Sequence, residues 1–264
     1  MADDAWTSSD AYDAYVGRWS RGVAGRFVDW LGVPPARRWL EIGCGTGALT
    51  GAILEAARPA EVLGIDQAPA YVDEARSRLA ATSARFEVLD AAALDVDREF
   101  DAAVSGLVLN FLPDPAAAVR SMARSVRPGG VVAAYVWDYA AGMELMRVLW
   151  DAAGELDERA RELDEGRRFP LCDPGRLAGL WGEAGLGDVA TAGITVPTVF
   201  ADFDDYWSPF LGGQGPAPGY VASLAEDDRR RLRAAVRARL PIDADGSIAL
   251  RARAWAVRGV VEGR

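Results

Sequence analysis

Between residues 38 and 138, short apolar runs of β-type composition alternate with helical patterns, and this alternation confines the chain to few architectures. Arg38–Ile42 leads into a glycine-rich turn and a helix expected from Ala48 to Ala57. Glu61–Ile65 is a second run, ending at Asp66 and followed by a helical pattern over Ala70–Ala80. Arg85–Leu89 and Asp101–Ser105 read as the third and fourth strands. Pro115–Val126 reads as a helix with proline in its first turn. Arg127-Pro128-Gly129-Gly130 is expected to break that helix before a fifth strand, Val131–Trp137. Strands that are apolar throughout, each feeding a helix, indicate a parallel sheet covered on both faces. The expected fold is α/β: a doubly wound, Rossmann-like, mainly parallel sheet of seven strands with helical lid insertions.

After Asp138 the rhythm loosens. Gly142–Arg168 predicts one or two charged helices, and Asp173–Ala184 a helix capped by Asp173. Asp188–Phe200 and Ser247–Val261 read as the remaining strands, with an arginine-rich helix over Glu226–Leu240. The arginines at 229–233 read as a solvated helix face. The glycine- and proline-rich stretch 212–219 is expected to be irregular loop. We expect a single domain over 1–264: an N-terminal helical segment 1–37, a cofactor-binding half 38–138, and a substrate-side half 139–264. Segments 139–187 and 201–245 are expected to form the lid.

Composition narrows the chemistry. The chain has no histidine and all 29 of its basic residues are arginine. That excludes Ser-His-Asp triads, histidine metal sites, Schiff-base lysines and P-loop lysines together, so no metal is expected. The net charge is −10 without a basic stripe, which argues against nucleic acid. No apolar run reaches the roughly 20 residues of a membrane span. Met1–Asp10 is polar and acidic, and one of only two cysteines, Cys44, sits inside the glycine turn. These features place the chain in the cytoplasm. Its oligomeric state is left open between monomer and homodimer.

The segment that carries chemistry is Trp39-Leu40-Glu41-Ile42-Gly43-Cys44-Gly45-Thr46-Gly47: an acid two residues before three alternating glycines, at a strand–helix junction. In open α/β sheets ligands bind beyond the carboxyl ends of the strands, and glycine lets the backbone turn tightly and approach a ligand closely. Asp66 ends the second strand, 19 residues beyond Gly47, the placement of an acid that hydrogen-bonds a ribose diol. The pattern Gly43-x-Gly45-x-x-Ala48 also fits a loose dinucleotide fingerprint, so an NAD-dependent oxidoreductase stands as an alternative. Against it, Glu41 would set a carboxylate near a pyrophosphate, whereas it suits a ligand bearing an ammonium group.

With Glu87-Val88-Leu89-Asp90-Ala91 and Ser125-Val126-Arg127-Pro128-Gly129-Gly130 added to that motif and to Asp66, residues 12–138 resemble the class I S-adenosylmethionine-dependent methyltransferases. The small-molecule group that includes the ubiquinone and menaquinone C-methyltransferases is the most similar. The resemblance implies S-adenosyl-L-methionine as cofactor and transfer of its methyl to an O, N or C atom of a small-molecule acceptor, in secondary metabolism or quinone-type biosynthesis. Two further alternatives share the scaffold: a non-methylating reaction such as a cyclisation, and a non-catalytic cofactor-binding partner.

Carried over by position, Gly43, Cys44, Gly45 and Gly47 would line the methionine and ribose portion. Glu41 would lie near the methionine amino group and Asp66 at the ribose hydroxyls, with Gln67 beside the adenine. Asp90 would face the adenine amino group and Ala91 a ring nitrogen. Gly106 and Leu107 would offer a backbone carbonyl to the ammonium. Tyr12, Tyr15, Arg18 and Trp19 form an aromatic, arginine-containing stretch. It would either fold over the cofactor, Arg18 pairing with its carboxylate, or pack as a surface helix. Trp19, Asn110, Phe111 and Trp207 are the candidate acceptor contacts, while Trp181, Phe200, Trp207 and Phe210 either line an apolar pocket or are plain core. No residue is assigned a catalytic proton transfer.

Overall fold

The computed structural model describes residues 17–80, 82–91, 94, 99–212 and 215–263. Helix α1 (Arg18–Leu31) buries Val23, Ala24, Phe27, Val28 and Leu31, an apolar stripe at helical spacing. Its last carbonyls, those of Trp30 and Leu31, accept from the Arg258 guanidinium at 3.1 and 3.2 Å. Then come β1 (Arg38–Ile42), α2 (Ala48–Ala57), β2 (Glu61–Asp66), α3 (Pro69–Arg78), β3 (Ala84–Val88) and β4 (Phe100–Gly106). α4 (Pro115–Ser125) follows, its first turn closed by Asp114 accepting from the Ala117 amide at 2.8 Å.

The sheet has seven strands in the order β3-β2-β1-β4-β5-β7-β6, with β5 Val126–Trp137, β6 Leu186–Phe200 and β7 Ile248–Val261. The pairs β1–β2, β1–β4, β2–β3 and β4–β5 are all parallel. Ile42 lies opposite Ile65 and Ser105, Asp66 opposite Val88, and Gly106 opposite Tyr135, so these strands end together. The order reverses between β1 and β4, and the crevice beyond a switch point is where an open α/β sheet binds its ligand.

Two local expectations are corrected. The Arg127–Gly130 stretch does end α4, but β5 already begins at Val126. Val126 pairs with Phe100 and Val131 with Ala102, so the four residues between bulge out of register, with Gly129 at φ 79°. The segment 212–219 is not wholly irregular either, because Pro216–Ser223 is helical with Pro216 in the first turn, where proline's missing N–H costs nothing.

The chain divides into two compact units. The first comprises residues 20–136, 171–194 and the chain from Ala254 onward. It therefore extends well beyond the expected cofactor half, and includes a helix (Pro174–Glu183) that Asp173 caps as anticipated. Trp181 of that helix is fully buried and donates its indole N–H to the Val132 carbonyl at 2.8 Å.

The second unit comprises the segment ending at Trp19, residues 137–170 and 195–253. It holds the helices Glu144–Leu156, Ala160–Leu163, Glu165–Arg168, Phe203–Trp207, Pro216–Ser223 and Glu226–Arg237. Aromatic rings dominate its interior. Trp19 meets Phe200 edge-on at 5.4 Å, Phe200 meets Tyr206 at 5.2 Å, and Trp207 stacks on Phe203 at 6.2 Å. The Tyr206 hydroxyl donates to the Leu145 carbonyl at 2.8 Å. On Glu226–Arg237, Arg230 and Arg231 pair with Asp227 and Asp228 one turn earlier, as a solvated face should. No helix among the described residues is long and apolar enough to cross a membrane.

Candidate functional site

The site is built where β1 and β2 end. β1 is central, so the side chains at 39–42 are buried on both faces, Glu41 among them at 2% exposure. Its carboxylate accepts from the Thr50 hydroxyl on α2. Burial pushes the Glu41 carboxyl up from 4.5 to about 8; the Thr50 hydrogen bond opposes this and the Asp66 charge adds to it. A cation arriving beside such a buried acid favours its ionised form. Thr50 escapes the motif reading, although it is the one hydroxyl on its helix, nine residues beyond Glu41.

The glycine loop turns over this acid. Gly43, Gly45 and Gly47 have φ of 71°, 50° and 84°. A Cβ at Gly43 would lie 2.7 Å from Val108, so glycine is required there on space as well as backbone conformation, while at Gly47 the positive φ is the stronger demand. At Gly45 nothing lies within 4 Å of the Cβ direction, which leaves open space above the loop. The loop's amides are already engaged: Gly43 and Cys44 donate to the Ile65 carbonyl at 2.8 and 3.0 Å, Gly47 to the Cys44 carbonyl at 2.9 Å, and Gly45 to Asp66 Oδ2 at 2.9 Å. Asp66 Oδ1 accepts from the Ala68 amide at 2.9 Å, so the backbone aims this carboxylate from both sides.

The Cys44 side chain points away from any ligand, into an apolar cluster with Val72, Ala75 and Phe86. Burial drives its thiol far above the ordinary range, so only its backbone faces the loop. Tyr71 on α3 escaped the sequence reading; partial burial and the nearby Asp66 charge raise its phenol. Gln67 and Asp90 are exposed just past the ends of β2 and β3, and the neighbouring Ala91 is buried. The Leu89 amide donates to the Asp66 carbonyl at 3.0 Å and so joins these two strand ends.

At the end of β4 the backbone is strained. Leu107 adopts φ 61°, which a bulky side chain disfavours, and its amide donates to the Tyr135 carbonyl at 2.8 Å. A 3₁₀ turn, Leu109–Phe111, follows with Leu109 fully buried. Asn110 hides both amide atoms without a hydrogen-bonding partner among the described residues, while Phe111 remains 40% exposed.

The structure therefore brings together Glu41, Gly43, Gly45, Asp66, Gly106, Leu107 and, against Gly43 through Val108, the turn bearing Asn110 and Phe111. Trp19 and Trp207 belong to the second unit and are spent on ring packing at 7% and 4% exposure. Phe200 and Phe210 are likewise core there, and Trp181 is core in the first unit. Tyr12, Tyr15 and the Arg18 side chain lie outside the described residues. Among the described residues no three Cys, Asp or Glu side chains gather as a metal site.

Residues 40–132 match a family model described as a methyltransferase domain. Malonyl-[acyl-carrier protein] O-methyltransferase of Acetivibrio thermocellus is 28% identical over 136 residues, 51% of this chain and 48% of the relative. The chain thus spans about half the length of that relative. 2-Methyl-6-phytyl-1,4-hydroquinone methyltransferase of Synechocystis sp. is 29% identical over 75% of this chain and 64% of the relative. The crystal structure of YcgJ from Bacillus subtilis shares the fold, with a TM-score of 0.60 at 16% identity over 92% of this chain and 99% of that one.

Proposed function

We propose that residues 40–132, which match a methyltransferase-domain model, form a class I S-adenosylmethionine-dependent methyltransferase domain, and that the whole chain is an enzyme methylating an O, N or C atom of a small-molecule acceptor. The observation that carries this reading is the pairing of buried Glu41 with Asp66 around a loop whose glycine amides are already satisfied. A dinucleotide pyrophosphate needs free amides and no carboxylate beneath it. A ligand with an ammonium at one end and a sugar diol at the other needs the reverse. The residues therefore fit S-adenosyl-L-methionine. That cofactor supplies a methyl group on a positively charged sulfur, which makes the carbon electrophilic.

In this reading Glu41 and the strained Leu107 backbone hold the ammonium end, and Asp66 accepts from the ribose hydroxyls. Gly43, Gly45 and the Cys44 backbone floor the space between them. Gln67, Asp90 and Ala91 receive the adenine. Histidine and lysine are absent, so the chain works by aligning reactants, an effect worth roughly 7–11 kcal/mol when orientation is good. Two free, buried cysteines accord with a reducing, cytoplasmic setting.

Calorimetric titration with S-adenosylhomocysteine, and with NAD⁺ in parallel, tests the proposal. Saturable binding of the first and none of the second is expected. The opposite pattern would replace a methyltransferase with an oxidoreductase.

A further inference from the structure

Asn110 is held rigidly. Leu109 anchors its turn in the core, and the Phe111 amide donates to the Val108 carbonyl at 2.8 Å. Val108 in turn sits directly on Gly43 of the cofactor loop. Here both Oδ1 and Nδ2 are buried, and neither has a hydrogen-bonding partner among the described residues. Buried polar groups are almost always satisfied, and an amide left unsatisfied is unfavourable for the folded protein. Such a group persists where its partner is a ligand.

The chemistry of a carboxamide restricts that partner. Oδ1 needs a donor and Nδ2 needs an acceptor, side by side in one plane. The methionine ammonium offers only donors, and would leave Nδ2 unpaired. The methionine carboxylate offers only acceptors, and would leave Oδ1 unpaired. A planar edge that sets an N–H beside a C=O satisfies both atoms at once. The Phe111 ring, 40% exposed on the next residue, provides an apolar face for a flat ligand. We propose that Asn110 recognises a lactam or carboxamide edge on the methyl acceptor, with Phe111 beside its ring. This identifies the acceptor's class and rests on the methyltransferase reading above.

The test uses three isomeric or near-isomeric probes, 2-pyridone, 1-methyl-2-pyridone and 4-pyridone, followed by ligand-observed NMR with saturating S-adenosylhomocysteine. Only 2-pyridone sets donor and acceptor side by side. It should bind the native protein more tightly than the other two by about tenfold or more. Asn110→Leu should abolish that preference, and Asn110→Asp, which loses the donor, should weaken it. Because the amide has no partner among the described residues, Asn110→Leu should melt no lower than the native protein. Equal binding of the probes, a preference that survives in Asn110→Leu, or a lowered melting temperature would each overturn the assignment. So would a loss of S-adenosylhomocysteine affinity in Asn110→Leu, which would give the amide to the cofactor. Titration of the native protein with S-adenosylhomocysteine reports separately on the methyltransferase reading: failure there, with the pyridone preference intact, would strike that reading and not Asn110.

Discussion

The Gly45 amide donates to Asp66 Oδ2 at 2.9 Å, so the loop that ends β1 is tied to the acid that ends β2. The other oxygen accepts from Ala68, and each oxygen retains a second lone pair for a ligand hydroxyl. Asp66→Ala should therefore weaken S-adenosylhomocysteine by about 1.5–3 kcal/mol, the scale of hydrogen bonds to a charged group. Calorimetry showing unchanged affinity would remove Asp66 from the site.

Glu41 gives a pH signature of definite sign. Its folded-state carboxyl lies at about 8 against an ordinary 4.5, because burial disfavours the charge. The stability associated with the neutral acid is complete below about pH 4.5 and lost as pH rises through about 8. Glu165, buried and accepting from the Trp150 indole, behaves alike, pushed up to about 7. The ligand-free protein should lose stability between about pH 5 and 8, by a few kcal/mol. Urea titrations of Glu41→Gln should show a visibly flatter profile than those of the native protein.

Ligand binding should reverse that proton balance. An ammonium beside Glu41 favours its ionised form, so binding at pH 7 should expel up to about one proton. Titrations in two buffers of different ionisation enthalpy measure this directly. Proton release that persists in Glu41→Gln would assign it to another group.

The loop glycines should separate stability from binding. Gly43→Ala drives a Cβ into Val108 and should cost about 1–3 kcal/mol, part of it recovered in the Gly43→Ala/Val108→Ala double variant. Gly45→Ala meets nothing and should cost about 1–2 kcal/mol for its left-handed backbone. It should nonetheless lose S-adenosylhomocysteine affinity by about tenfold or more, since a buried fit tolerates little added volume. Denaturation and calorimetry on the same two variants decide the matter.

Glu165 tests whether the proposed methyl transfer uses a dedicated base. Its carboxylate is committed to the Trp150 indole and 2% exposed, so we expect Glu165→Gln to change turnover by less than about tenfold with any acceptor that supports it. A positioned base typically contributes about 10²–10⁴-fold. A loss near 10³-fold with unaltered S-adenosylhomocysteine affinity would make Glu165 that base.

Much of the first unit was legible in advance, because its signals are local. A continuous apolar run, a glycine needing positive φ and a proline in a first turn act within a few residues. β1 and α2 accordingly fall at the expected residues, and β2 with Asp66 at its end. The misreadings arose where neighbours outweighed local pattern. Gly129 and Gly130 interrupt a strand without ending it, because Val126 still pairs with Phe100. Pro216 begins a helix inside a stretch that reads as loop, since Ala217, Pro218, Tyr220 and Val221 are buried.

By itself the sequence determined the strand–helix alternation, the glycine loop and the acids flanking it, all set by chain-local sterics and apolar spacing. Tertiary structure alone decided what those residues do. Glu41 becomes a neutral acid only because β2 and β4 flank β1 and remove it from water, with Thr50 as its hydrogen-bonding partner. Trp19 and Trp207 become packing residues because Phe200 and Phe203 meet them. Asn110 is left unpaired because no donor or acceptor among the described residues reaches it. Hydrogen bonds and desolvation act over a few ångströms in space, between residues that sequence spacing does not bring together.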